Sequence, residues 1–369
     1  MHPRPLVPKR RDRAMSALLT RIEQAIDLVG TAPSLPPRPR RIVVLRSCCL
    51  GDVLLATPLI WALRRAYPAA HITAAVGRWS RPALEHNPDL DGLLDLEGVG
   101  TGRPRPTEYV RVLRRLHTGG FDLALVLDRT PLLTALPLLA GIPVRAGIDS
   151  AGRGFALNVR VPWTRVEHEA RLFLRVGAAL GIPTDDVGLR FAPSPADGDR
   201  AARLWSRAGL DGTRVLALAP GGGRNPGMTF AAKQWPPERY AALADRLHET
   251  HGLVPLLTGD AHDRALTARI RGLMRSPTTD LAGETSVGAL GALYARSALF
   301  VGNDSGPTHL AAATGIPVVA VFGPTDPAVY APFSPRAVAL RGPHGLSTSE
   351  VDVEQVVAAC ERWLVTGDQ

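Results

Sequence analysis

VGNDSGPTHLAAATGIPVVAVFGPTDP, residues 301–327, is the stretch that decides the fold class. An apolar strand runs into an acidic turn, a short helix follows, and a second apolar strand ends in a second polar turn. Strand, helix, strand is the unit of a parallel α/β sheet. Such sheets bind ligands at the carboxyl ends of their strands. Asp304, Ser305, Thr308 and His309 cluster where the first strand stops, and Gly323–Pro327 follows the second, so both turns belong to one ligand-binding edge.

Working outward, the same alternation fills the chain. Ile42–Leu45, Ile72–Val76, Leu93–Leu96 and Leu123–Leu127 read as strands, the first a continuous apolar run of the kind buried on both faces. Helices are expected over Leu59–Ala66, opened by Thr57 as N-cap and Pro58, near Arg81–Glu85, over Glu108–His117 and over Leu132–Ala140. Phe191–Asp211, with Pro193, Pro195 and a charged helix-like run, reads as a crossover. The alternation then restarts with strands at Val215–Ala219, Leu253–Thr258, a short one ending at Leu281, Ala298–Val301 and Val318–Phe322. Helices fall over Pro237–His251, on to Met274, over Val287–Arg296 and over Asp352–Leu364, the last opened by an Asp352/Gln355 capping box. The expected organisation is a basic arm and linker over 1–40, one βα-repeating domain over 41–195 and a second over 196–369. Two such domains facing a cleft suit an enzyme with two substrates.

Composition narrows the class. The 369 residues are 45% hydrophobic and 21% charged, as in ordinary globular proteins. No apolar run reaches the ~20 residues that span a bilayer; the longest, Pro131–Val144, is broken by prolines. Met15–Val29 carries Arg21, Glu23 and Asp27, a poor signal-peptide core, and a cytoplasmic protein is expected. Cys48, Cys49 and Cys360 have no disulfide-framework or zinc-ligand spacing, and Cys48 and Cys49 read as small buried residues. Of the net charge of +9, seven units fall in residues 1–46. The arm is therefore either a solvated tail or a contact for an anionic membrane surface; nothing in it marks nucleic-acid recognition. Of 43 basic residues only Lys9 and Lys233 are lysines, so a compact, mobile ammonium outside the arm occurs once, at Lys233.

Four constellations suit chemistry. Gly51 and Asp52 follow the first strand, where a carboxylate either takes a proton from a hydroxyl or merely favours a helix start. Pro220–Gly223 follows the first strand of the second half; its glycines suit either anion-binding main-chain N–H groups or a plain loop. It has neither the Walker A nor the dinucleotide glycine spacing. Lys233-Gln234-Trp235-Pro236 opens the next helix, with Lys233 placed to neutralise a diphosphate or to sit at the surface. In 301–327, Ser305, Gly306 and Thr308 offer donors at a helix start for phosphate oxygens, and Asp304 suits sugar hydroxyls. His309 suits either a phosphate donor or a packed residue. No H-x-x-x-H motif suggests a metal, and no G-x-S-x-G suggests a serine nucleophile.

Five segments together resemble glycosyltransferase family 9, the heptosyltransferase-like enzymes of the GT-B fold: IVVLRSCCLGDVLLATPLIWAL at 42–63, LALAPGGG at 216–223, AKQWPPERYAAL at 232–243, the run 281–327, and the terminal helix. The resemblance spans about Arg41–Leu364. It implies two Rossmann-like domains and an inverting, metal-independent transfer of a sugar from a nucleotide-diphosphate donor, ADP-heptose-like, to a glycan or glycolipid hydroxyl, with no cofactor beyond the donor. Asp52 falls on the family's catalytic base and Lys233 on its phosphate-contacting lysine. Its D-[ST]-G-x-x-H donor signature falls on Asp304, Ser305, Gly306, Thr308 and His309. Gly221, Gly222 and Asp263, or Asp260 in its place, would complete the donor site. Gly51 and Arg129 are candidates on the acceptor side. The Ser47-Cys48-Cys49-Leu50 turn departs from the family's usual Ser-Ser pattern. A nucleotide-sugar-binding protein without transfer activity and a nucleotide-sugar epimerase are the competing readings.

Overall fold

The computed structural model describes residues 38–99, 104–164, 166–225 and 228–364. It divides into two compact units at Gly188/Leu189. The basic arm lies outside the described residues up to position 37.

In the first unit six strands form one parallel sheet: β1 (Arg41–Arg46), β2 (His71–Val76), β3 (Gly92–Asp95), β4 (Leu123–Val126), β5 (Val144–Asp149) and β6 (Val159–Pro162), in the order β3-β2-β1-β4-β5-β6. Ile42, Val43, Val44 and Leu45 are all buried, as a strand covered on both faces requires. The second unit repeats the plan. β7 (Val215–Ala219), β10 (Val254–Leu257), β11 (Thr279–Asp280), β12 (Leu299–Asn303), β13 (Val318–Phe322) and β14 (Ala337–Arg341) are parallel in the order β11-β10-β7-β12-β13-β14. A two-stranded hairpin, β8 (Arg224–Asn225) with β9 (Met228–Thr229), interrupts the crossover after β7. Each sheet therefore winds outward in both directions from its first strand, and the order reverses between β1 and β4 and between β7 and β12. Ligands of doubly wound sheets bind at such reversals, beyond the carboxyl ends of the strands. Asp52 follows β1, and Asp304 follows β12.

Several sequence expectations change. Gly51 and Asp52, expected to follow the first strand, do so within a helix, Leu50–Leu55, with Asp52 in its first turn. Thr57 is not the cap of the next helix but its first residue, its hydroxyl donating to the Leu54 carbonyl at 2.6 Å. β5, β6 and β14 are strands beyond those the sequence leads one to expect. The division between units lies ahead of the expected 195/196. Phe191 packs over Gly291, Ser194 caps the helix Pro195–Arg207, and Asp197 accepts a hydrogen bond from Ser286 at 2.6 Å, all of which ties 191–197 to the second unit.

Candidate functional site

In the second unit the site is organised by a residue that the motifs overlook. Asn303, the last residue of β12, is fully buried. Its Nδ2 donates to the carbonyls of Pro220 and Gly221 at 2.8 and 2.9 Å. Its Oδ1 accepts from the Trp235 main-chain N–H at 3.0 Å and from the Tyr240 hydroxyl at 3.1 Å. Burial pushes the Tyr240 hydroxyl far up from its ordinary pKa, so it stays protonated and donates. One amide thereby uses its two donors and accepts twice, fastening the glycine turn, the Lys233 segment and the β12 turn to one another.

The glycine turn lies against both neighbours. A Cβ on Gly221 would stand 2.4 Å from the Asp263 carboxylate, and one on Gly222 would stand 2.8 Å from Ser305 Cβ; Gly222 also has φ +110°. Only glycine meets both the conformation and the contact. Gln234 Nε2 donates to the Gly222 carbonyl at 3.0 Å. Lys233 Nζ lies 2.7 Å from Asp304 Oδ2, the same oxygen that accepts from Thr325 Oγ1 at 2.5 Å. The ammonium is thus held at the strand-order reversal by a carboxylate buried at its base. The Gly306–Ala313 helix begins beside it, adding the positive end of its dipole.

The other expected donor residues divide. Ser305 is half-buried, its hydroxyl donating to the Asn303 carbonyl at 3.3 Å. Thr308, expected to offer a hydroxyl to phosphate, is fully buried and donates to that same carbonyl; the fold has used its hydroxyl to close the turn. His309 is buried, the packed alternative. Asp263 is buried and accepts from the Asp260 N–H at 3.0 Å, whereas Asp260 is exposed and caps the turn Ala261–Asp263. Asp304, expected at sugar hydroxyls, has one oxygen committed to Lys233 and Thr325.

In the first unit Asp52 Oδ2 meets Arg46 Nη2 at 2.9 Å. The Arg46 guanidinium stacks over Phe173, donates to the Leu127 carbonyl at 3.1 Å and lies 3.9 Å from Asp128. Asp128, buried, accepts from Ser47 Oγ at 2.6 Å and from the Arg129 and Thr130 N–H groups. Asp52 is therefore aimed by a network spanning the β1/β4 reversal. Gly51 is buried beneath it. Arg129, expected to contact the acceptor, is instead paired with the buried Glu169 and stacked on Trp163 at 4.2 Å; a buried carboxylate needs such a cation. Cys48 and Cys49, expected to be buried thiols, are half-buried and joined in a disulfide. Among the described residues no three His, Cys, Asp or Glu side chains gather to hold a metal ion, and no helix is long and apolar enough to cross a membrane.

Asn303 and Arg46 carried no motif. The one signal for Asn303 is an amide ending the apolar run LFVGN, where a buried polar side chain must find partners.

Comparison with known proteins agrees with this geometry. The profile of glycosyltransferase family 9 (heptosyltransferase) matches residues 109–357. The chain is 28% identical over 295 residues to lipopolysaccharide heptosyltransferase 3 of Escherichia coli, covering 77% of this chain and 84% of that one. A glycosyltransferase family 9 structure from Veillonella parvula superposes with TM-score 0.77 at 26% identity, covering 90% of this chain and 99% of that one. The Escherichia coli ADP-heptose lipopolysaccharide heptosyltransferase II structure gives 0.72 at 26% identity, over 88% and 98%.

Proposed function

Because this chain belongs to glycosyltransferase family 9 and has its two-sheet α/β fold, we propose that it transfers a heptose from ADP-heptose to a hydroxyl of a lipopolysaccharide-type glycolipid. The observation that carries the donor half is the Lys233–Asp304 pair beside the glycine turn at the β7/β12 reversal. A diphosphate seated there meets a mobile ammonium, the main-chain N–H groups of a turn and the start of a helix. These three features stabilise the charge that grows on the leaving nucleoside diphosphate. Similarity to heptosyltransferases, one of them named for ADP-heptose, supports the choice of donor.

Asp52 serves as the base. With Oδ2 on Arg46, its other oxygen is left to accept the proton of an acceptor hydroxyl, and that hydroxyl oxygen attacks the anomeric carbon from the face opposite the diphosphate. The C–O bond to the diphosphate breaks, the nucleoside diphosphate leaves with the bonding electrons, and the anomeric configuration inverts. Lys233 supplies the compensating charge, so the reaction runs without a divalent metal. The chain works in the cytoplasm, its basic arm drawn to the anionic membrane that carries the acceptor.

The test is ADP release from ADP-heptose with and without heptose-deficient lipopolysaccharide, each with and without EDTA. Release that needs the acceptor and survives EDTA is expected. Epimerised or free sugar formed without acceptor would overturn the transfer reading, and loss of activity in EDTA would overturn the role given to Lys233.

A further inference from the structure

Trp79 is 58% exposed. Tryptophan is the largest apolar side chain and is ordinarily well covered, so its placement here calls for an occupant. Its loop leaves β2, which pairs with β1 so that Val76 stands opposite Arg46. Trp79 and Asp52 therefore emerge from the same carboxyl edge of two adjacent strands, where ligands of such sheets bind.

The loop is fastened on both sides of the indole. Gly77 N–H donates to the Ser47 carbonyl at 2.9 Å, in the very turn that leads to Asp52. Ser80 is fully buried, and the turn Arg81–Ala83 packs on the helix Leu50–Leu55 that carries Asp52. Trp79 is two positions along the chain from Gly77, a span of at most about 7 Å. The backbone is fixed while the ring faces outward, which is how an aromatic contact is made without ordering cost on binding. Beside it Arg78 is 83% exposed, with Nε and Nη2 on Asp95 at 3.4 and 3.2 Å, leaving guanidinium donors toward solvent.

We infer that Trp79 is a stacking platform for a pyranose ring of the acceptor, fixing the sugar beside Asp52. A pyranose presents an apolar face of C–H groups, slightly positive, that matches the negative face of an indole, while its hydroxyls suit the donors of Arg78. This inference rests on the glycosyltransferase reading.

The experiment uses the full chain and its Trp79→Ala and Trp79→Phe variants, with ADP-heptose as donor and deacylated heptose-deficient lipopolysaccharide as acceptor. Trp79→Ala raises the acceptor KM at least tenfold, Trp79→Phe returns it to within about threefold of wild type, and the ADP-heptose KM and thermal midpoint stay as in wild type. A structural role would instead lower the midpoint or move both KM values. An unchanged acceptor KM in Trp79→Ala overturns the inference, as does loss of vesicle binding with acceptor KM intact. Absence of transfer by the wild-type chain rejects the parent reading and this inference with it, so the two failures are distinguishable.

Discussion

Replacing Asn303 with leucine isolates the framework that holds the proposed donor site. Leucine is close in size but can neither donate nor accept. Three main-chain groups lose the amide: the Pro220 and Gly221 carbonyls, bonded at 2.8 and 2.9 Å, and the Trp235 N–H at 3.0 Å. Tyr240 also loses its Oδ1 partner, but its hydroxyl lies 3.5 Å from the Ala219 carbonyl as well. A buried polar group left without a partner costs about 1–3 kcal/mol. Taking the lower figure for each of the three, the total is about 3 kcal/mol. For a unit of this size that lowers the thermal midpoint by roughly 6–12 °C. The assay is thermal unfolding followed by circular dichroism, with ADP titrated into the folded variant by calorimetry. A midpoint within about 2 °C of wild type would refute the claim that this amide is the junction of the three segments. So would full ADP affinity in a variant destabilised as expected, since the displaced turn and Lys233 segment could then not be the donor's cradle.

Two further outcomes follow from the same region. Lys233→Met removes the ammonium paired with Asp304 and should lower kcat/KM for the donor about a hundredfold, roughly 2.7 kcal/mol; steady-state rates within threefold of wild type would remove Lys233 from the mechanism. Glu350 accepts the N–H groups of His344, Gly345, Leu346 and Ser347 at 2.8–3.3 Å, in a loop whose Thr348 bonds the Ala232 carbonyl next to Lys233. Burial pushes its carboxyl up, but those four donors outweigh it and hold the pKa below the ordinary carboxylate range. A depressed folded pKa stabilises the native state above the unfolded value of about 4.3 and loses that contribution as pH falls through the folded value. Glu350→Gln should therefore lie below wild type in thermal midpoint at pH 6, with the gap closing toward pH 3; a gap independent of pH would contradict this.

The fold was legible wherever a strand is covered on both faces. Val215–Ala219 and Val318–Phe322 are uninterrupted apolar runs, and their sequence bounds match the structure. β5 escaped because Arg145 and Gly147 break its pattern. Gly147 is required there, since a Cβ would stand 2.4 Å from the Val126 carbonyl, a contact between strands that no local signal reveals. β14 is a half-exposed edge strand whose apolar run, Ala337–Leu340, is half alanine and carries a weak strand signal. The helix Leu50–Leu55 lacks a side-chain cap, Cys49 occupying that place, so its start signal is reduced to Asp52 in the first turn. At the candidate site, Lys233 stands out in the sequence by its rarity among arginines, and the structure sets it against Asp304, directly after β12; Asp52 lies past the end of β1, in the first turn of a helix. The pairing of Arg129 with Glu169, 40 residues on, is one that only tertiary structure reveals, whereas Thr308 turns back onto the Asn303 carbonyl 5 residues earlier.

The central claim is that Asp52 is the base of the proposed heptose transfer. Its most direct test is the rate of heptose transfer by Asp52→Asn at saturating ADP-heptose and acceptor. The substitution keeps the size of the side chain and removes its capacity to take a proton, a contribution worth about 10²–10⁴ in rate. The account predicts a loss of at least a hundredfold in a protein that binds ADP as wild type does. Transfer by that variant within tenfold of wild type would contradict it.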